Sequence, residues 1–110
     1  MDKVYGLLSI AAKAGRIVSG SDTALTEVKA KKARLVILSE DASQNTRKLF
    51  QDKASYREIP VVIYGNSEDL GRAVGKPPRV VLAVLDEGFS KSILKTSREQ
   101  RKQYGENENL

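Results

Sequence analysis

Apolar positions in this chain alternate between two rhythms. Val4, Leu7, Leu8 and Ala11 fall at helical spacing and Gly15 follows as a stop, which predicts a helix over 3–14. A short strand over 16–19 comes next. Ala24, Leu25 and Val28 share one side of a second predicted helix, 22–31, with Ser19 or Ser21 as its cap. Residues 35–39 are a nearly unbroken apolar run, as in a strand covered on both faces. Asp41 or Ser43 can cap a helix reaching 53, with Leu49 and Phe50 facing inward. Pro60 marks the entry to another buried strand, 61–64. Leu70, Ala73 and Val74 define a short helix over 68–74. Asn66 or Ser67 caps it, Glu68 and Asp69 suit its first turn, and Gly75 stops it. A strand over 80–85 and a helix carrying Phe89, Ile93 and Leu94 complete the pattern. From Ser97 the sequence is polar without an apolar face, which predicts a disordered tail over 97–110. Strands alternating with helices predict a single α/β domain over 1–96, with much parallel pairing.

Composition narrows the chemistry. A chain of 110 residues suits one compact core. Basic side chains outnumber acidic ones by 19 to 14, and the excess is uneven. Residues 1–34 hold seven basic and three acidic side chains, 35–70 four and six, and 71–110 eight and five. Two basic thirds around an acidic middle suit a polyanion partner. With no Cys and no His, the chain lacks a thiolate nucleophile, an imidazole base and the usual zinc ligands. Residues 71–77 resemble a nucleotide loop only superficially. Three residues rather than four separate Gly71 from Gly75, and Pro77 follows Lys76 where Ser or Thr belongs. The pairs Glu40-Asp41 and Glu68-Asp69 read as charges at helix starts. The expectation is a non-enzymatic protein with no catalytic residues, no metal and no cofactor. No signal pattern or membrane-length apolar run is present, so a cytoplasmic, monomeric protein that does not touch a membrane is expected.

Two segments of the basic thirds carry candidate binding chemistry. In the first, Lys76 and Arg79 flank Pro77 and Pro78 after Gly75, a stiff cationic turn suited to phosphate. In the second, Gly20-Ser21-Asp22 opens a helix whose start offers backbone N–H groups and partial positive charge. Gly20 permits close backbone approach, and Asp22 supplies an acceptor for guanine donors. Lys29, Lys31 and Lys32 can neutralise phosphates. Each segment alone reads better as a turn, a cap or a solvated helix end than as an RNA contact. Their joint order points to RNA.

That order is a glycine turn, a helix with a basic end, a buried strand, the acidic turn Ser39-Glu40-Asp41-Ala42, a helix, a strand and Leu70-Gly71-Arg72-Ala73-Val74-Gly75. Over about residues 3–95 it resembles the ribosomal L7Ae/L30e family of kink-turn RNA-binding proteins, most closely its small bacterial members. The resemblance implies a three-layer α/β/α sandwich around a mixed sheet of about four strands. It also implies a ribosomal or ribosome-associated role in translation, as part of a ribonucleoprotein. The family's helix-start motif is Gly-x-Asn-Glu-x-x-Lys. Gly20 matches its glycine, Asp22 stands at the amide, Thr23 at the glutamate and Thr26 at the lysine. Acceptor capacity is kept at Asp22, while the amide donors, one carboxylate and one cation are lost. The family's second RNA-facing element falls on 75–81, where Pro77, Pro78 and Val80 would brace a flipped-out nucleotide. The implied RNA-contact set is Gly20, Ser21, Asp22, Thr23, Thr26, Lys29, Lys32, Gly75, Lys76, Pro77, Pro78, Arg79 and Val80. The departures at Thr23 and Thr26 leave an alternative, a protein-interaction module on the same fold with decayed RNA contacts.

Overall fold

Helices and strands alternate through the whole computed structural model, which describes residues 2–108, with side chains described to residue 100. The order is α1 (Lys3–Lys13), β1 (Ile17–Ser19), α2 (Ser21–Lys29), β2 (Leu35–Leu38), α3 (Gln44–Tyr56), β3 (Val61–Ile63), α4 (Ser67–Ala73), β4 (Val81–Val84) and α5 (Glu87–Glu108). The strands form one mixed sheet in the order β1-β4-β2-β3. β2 and β3 are parallel, whereas β4 is antiparallel to both β1 and β2. Parallel pairing is therefore less than the alternation predicts. Ile63 and Val81 both lie level with Leu38, so α4 and its loop return the chain to the sheet end where β3 finished. β4 must then run backwards between its neighbours.

Side-chain alternation splits the core in two. Val36, Leu38, Val81 and Ala83 face α2 and α3, packing with Ala24, Val28, Phe50 and Ala54. Leu35, Ile37, Leu82 and Val84 face α1, α4 and α5, packing with Val4, Leu8, Leu70 and Ile93. The result is the three-layer α/β/α sandwich. β2 and β4 are buried throughout, as an apolar run demands. β3 is only half-buried, not fully buried as expected, because it stands at the sheet edge. Leu49 is 38% exposed rather than inward-facing; Phe50 and Ala54 take the buried side of α3.

Of the two caps expected for α3, Ser43 serves, through the Thr46 amide, which leaves Asp41 free for another role. The start of α2 departs from expectation. Gly20, not Ser19 or Ser21, occupies the cap position of α2. In place of the tail predicted from residue 97, α5 continues to Glu108. Ser97 is itself buried, its hydroxyl donating to the Leu94 carbonyl at 2.8 Å, and the following Arg, Glu, Gln and Lys residues are good helix formers. Residues 109 and 110 lie outside the described residues.

Candidate functional site

The topology gathers four helix starts at one sheet end. β1 ends at Ser19 beside α2, β2 at Leu38 before α3, and β3 at Ile63 before α4. Asp2 caps α1 there too, and accepts from the Tyr64 hydroxyl at 2.5 Å. Asp2, Ser43 and Asn66 cap their helices with side-chain oxygens. Gly20 has no side chain to do so. The first α2 bond runs from the Ala24 amide to the Gly20 carbonyl, and among the described residues nothing accepts the N–H groups of Ser21, Asp22 and Thr23. Gly20 has φ +94° and ψ 149°, a backbone region essentially closed to other residues. Its amide donates to the Val81 carbonyl at 3.0 Å, and a Cβ there would meet nothing within 4 Å. The conformation fixes the glycine, and its outer side is open.

Beside this start lies the turn that carries Lys76, Pro77, Pro78 and Arg79. α4 ends at Ala73 and Val74 caps it; Gly75, φ +73°, follows, its amide donating to the Arg72 carbonyl and the Lys76 amide to the Gly71 carbonyl. Gly71 is what lets the turn lie on its own helix. A Cβ there would sit 2.2 Å from the Pro77 carbonyl oxygen. The Arg79 amide donates to the Ser67 carbonyl at 3.0 Å, and its Nε donates to Ser19 Oγ at 3.1 Å. That last bond ties the turn to the residue before Gly20. Lys76, Pro77 and Pro78 are exposed, whereas Val80 is half-buried against the α2–α3 side of the core.

An acidic clamp holds the far side of α4. Asp41 accepts from the Ser67 amide at 2.9 Å and the Ser67 hydroxyl at 2.6 Å. These bonds from Ser67 are the main reason its carboxyl is lowered to about 2. The expected acidic turn is therefore a cap for α4, reached from another part of the chain. At this sheet end Glu40 and Asp41 follow β2 and Glu68 and Asp69 open α4, while Arg79 lies beside Ser19 at the end of β1.

Of the sequence-derived set, the structure joins the start of α2 to the end of the cationic turn. Arg79 reaches Ser19, beside Gly20, and the Gly20 amide reaches Val81, next to Val80. Gly75, Lys76, Pro77 and Pro78 precede Arg79 on the same turn, with Lys76 and Pro77 folded against Gly71 of α4. Asp22 and Thr23 are exposed, as is Thr26 one turn on. The Thr26 hydroxyl donates to the Asp22 carbonyl at 3.0 Å, back onto its own helix. Lys29 ends α2, about 13 Å along its axis from the start. Lys31 and Lys32 follow it, next to Leu35, which pairs with Val84 at the other end of the sheet. Those lysines do not join the Gly20 end. Sequence reasoning missed Ser19, Ser67 and Gly71. An isolated glycine inside an apolar helical pattern was the available signal for the last.

Fold and site define a small α/β/α domain that presents an uncapped helix start and a braced cationic turn at one end of a mixed sheet. The chain belongs to the ribosomal protein L7Ae/L30e/S12e/Gadd45 family, whose pattern matches residues 2–94. It is 41% identical over 90 residues to the RNA-binding protein YlxQ of Bacillus subtilis, covering 82% of this chain and 90% of that one. It is 33% identical over 95 residues to the large ribosomal subunit protein eL30 of Methanopyrus kandleri, covering 84% and 87%. Among solved structures, a protein of unknown function from Bacillus halodurans C superposes with a TM-score of 0.85 at 40% identity, covering 87% of this chain and 97% of that one. The Giardia lamblia 15.5kD RNA binding protein shares the fold, with a TM-score of 0.74 at 23% identity over 86% and 82% of the two chains. The family and the Bacillus subtilis and Methanopyrus kandleri relatives bear the names of RNA-binding and ribosomal proteins rather than enzymes.

Proposed function

We propose that this chain is a non-enzymatic, ribosome-associated RNA-binding protein that grips a kinked RNA of the kink-turn kind at its Gly20 end. The observation that carries the reading is the open α2 start, with its unaccepted N–H groups, held against the Lys76–Arg79 turn by the Arg79–Ser19 bond. A sharp RNA bend crowds phosphates and exposes base edges. The N–H groups and the two cations meet the phosphates, Asp22 accepts from a base edge, and Pro77 and Pro78 offer an apolar wall. On this reading the protein works as a monomer in the cytoplasm, in translation. It is supported by the family, by the names of the relatives and by the juxtaposition of the two segments.

Gel shifts with a kink-turn and a straight duplex test it. The kink-turn binds more tightly, and log affinity falls with log salt by roughly 0.7–0.9 per phosphate neutralised. The double variant Thr23→Glu, Thr26→Lys restores the family's helix-start pair and raises kink-turn affinity more than duplex affinity. The inward-turned Thr26 hydroxyl favours the second reading, an interaction module with decayed RNA contacts. A flat salt response with no preference for the bent RNA selects that module and rejects our proposal.

A further inference from the structure

We infer that the opposite end of the sheet carries a second binding site, for a phosphate group, formed by Lys31, Arg34, Arg57 and Lys91 around the Ser90 hydroxyl. The topology moved Lys31 away from the Gly20 end and left it beside a cavity of about 440 Å³. Arg34, Arg57 and Lys91 line the same cavity, bringing together cations from the α2–β2 loop, the end of α3 and the first turns of α5. Two carboxylates also line it. Glu87 stands 3.9 Å from Arg34 and 4.0 Å from Lys91, and Glu58 lies at the end of α3. Four cations against two carboxylates leave the cavity positive.

Charge on a surface does not by itself make a site. Two unpartnered donors do more. Ser90 is 5% exposed, and among the described residues its buried Oγ has no hydrogen-bond partner. Arg57 Nε is likewise buried and unpartnered, although its Nη1 donates to the Lys53 carbonyl at 3.0 Å. Both residues line the cavity. Buried donors in native folds find acceptors, and an unmet one destabilises the fold. A phosphate group has several acceptor oxygens and the charge that the cations call for; it meets ammonium and guanidinium groups at the cavity wall, and the Ser90 hydroxyl, buried just beneath that wall, turns to reach it. The ligand is either the backbone of an RNA or a free phosphate compound.

Titration of the full chain with inorganic phosphate, followed by amide NMR against sodium chloride of matched ionic strength, tests the site without any RNA. Saturable shifts are expected at Lys31, Arg34, Ser90 and Lys91. Ser90→Ala is expected to abolish them while leaving the melting temperature unchanged or raised, because it removes an unmet donor. Shifts that chloride reproduces, or that survive Ser90→Ala intact, overturn the proposal and leave only diffuse charge. A second arm identifies the source of the phosphate. With a kink-turn extended by a long duplex arm, Lys31→Gly with Lys91→Gln lowers the salt slope by roughly 1.5 if RNA backbone occupies the site. An unchanged slope beside an intact phosphate response assigns the site to a free phosphate compound. The phosphate arm stands even if the Gly20 end binds no RNA.

Discussion

The starts of α2 and α4 lie at the same end of the sheet and are built in opposite ways. At α4, Asn66 Oδ1 accepts from the Asp69 amide at 2.8 Å, Asp41 takes both Ser67 donors, and Arg72 pairs with Asp69 at 3.0 Å. At α2 no side chain among the described residues does any of this. Length does not explain the difference. Both helices are too short to stand alone, and each buries apolar side chains fully, Leu70 in α4 and Ala24 and Val28 in α2. The α4 start is committed to holding the Lys76–Arg79 turn in place. The α2 start is left for whatever the turn helps to bind.

The sharpest way to break this contrast is Gly71→Ala. Its Cβ meets backbone rather than a flexible side-chain tip, so the turn must lift from α4. A stability loss of about 3 kcal/mol is expected in thermal or denaturant melts. RNA affinity should fall as well, because the cations move. Gly20→Ala tests the other start. It meets no atom, so its cost is conformational, about 2 kcal/mol, with the turn undisturbed. A melt equal to the parent's would mean that Gly20 does not hold its left-handed conformation in solution. Asn66→Ala removes one cap and should cost about 1 kcal/mol, more than Ser21→Ala at the uncapped start. Equal losses would erase the difference between the two ends.

Asp41→Asn gives the smallest effect and the most specific signature. The folded carboxyl titrates at about 2, below its ordinary 3.8, so its contribution is present above about pH 4. That contribution is lost as pH falls through 2. The melting temperatures of parent and variant should differ at pH 6 and converge between pH 4 and 2. A difference that persists at pH 2 would assign the effect to geometry rather than to charge.

Local chemistry was legible in the sequence and long-range geometry was not. Asn66 as a cap, Gly75 as a stop and the buried run of β2 all follow from spacing and residue type within a few positions. Asp41 shows the limit. A carboxylate ahead of a helix reads as that helix's cap, yet it serves a helix 26 residues further on. The lysines after α2 show it again. They follow the Gly20 motif closely in sequence, but a helix between them carries them to the opposite end of the sheet. Leu49 and Phe50 are adjacent, and apolarity alone does not say which of them faces the core. Strand direction lay furthest out of reach, because helix–strand alternation is the same whether a connection crosses over or doubles back.

The place of β4 also governs how the protein is made. It is the last strand in the chain and sits second in the sheet, with Ile17 paired to Val84. While a ribosome extrudes the chain, β1 has no partner and only β2 and β3 can pair. Closing the β1–β4 ladder requires the ends of most of the domain to meet, a slow, high-contact-order step. A nascent chain stopped before Val81 therefore exposes an apolar β2 edge. Release of Val81–Val84 from the exit tunnel is the point from which that edge can be sealed.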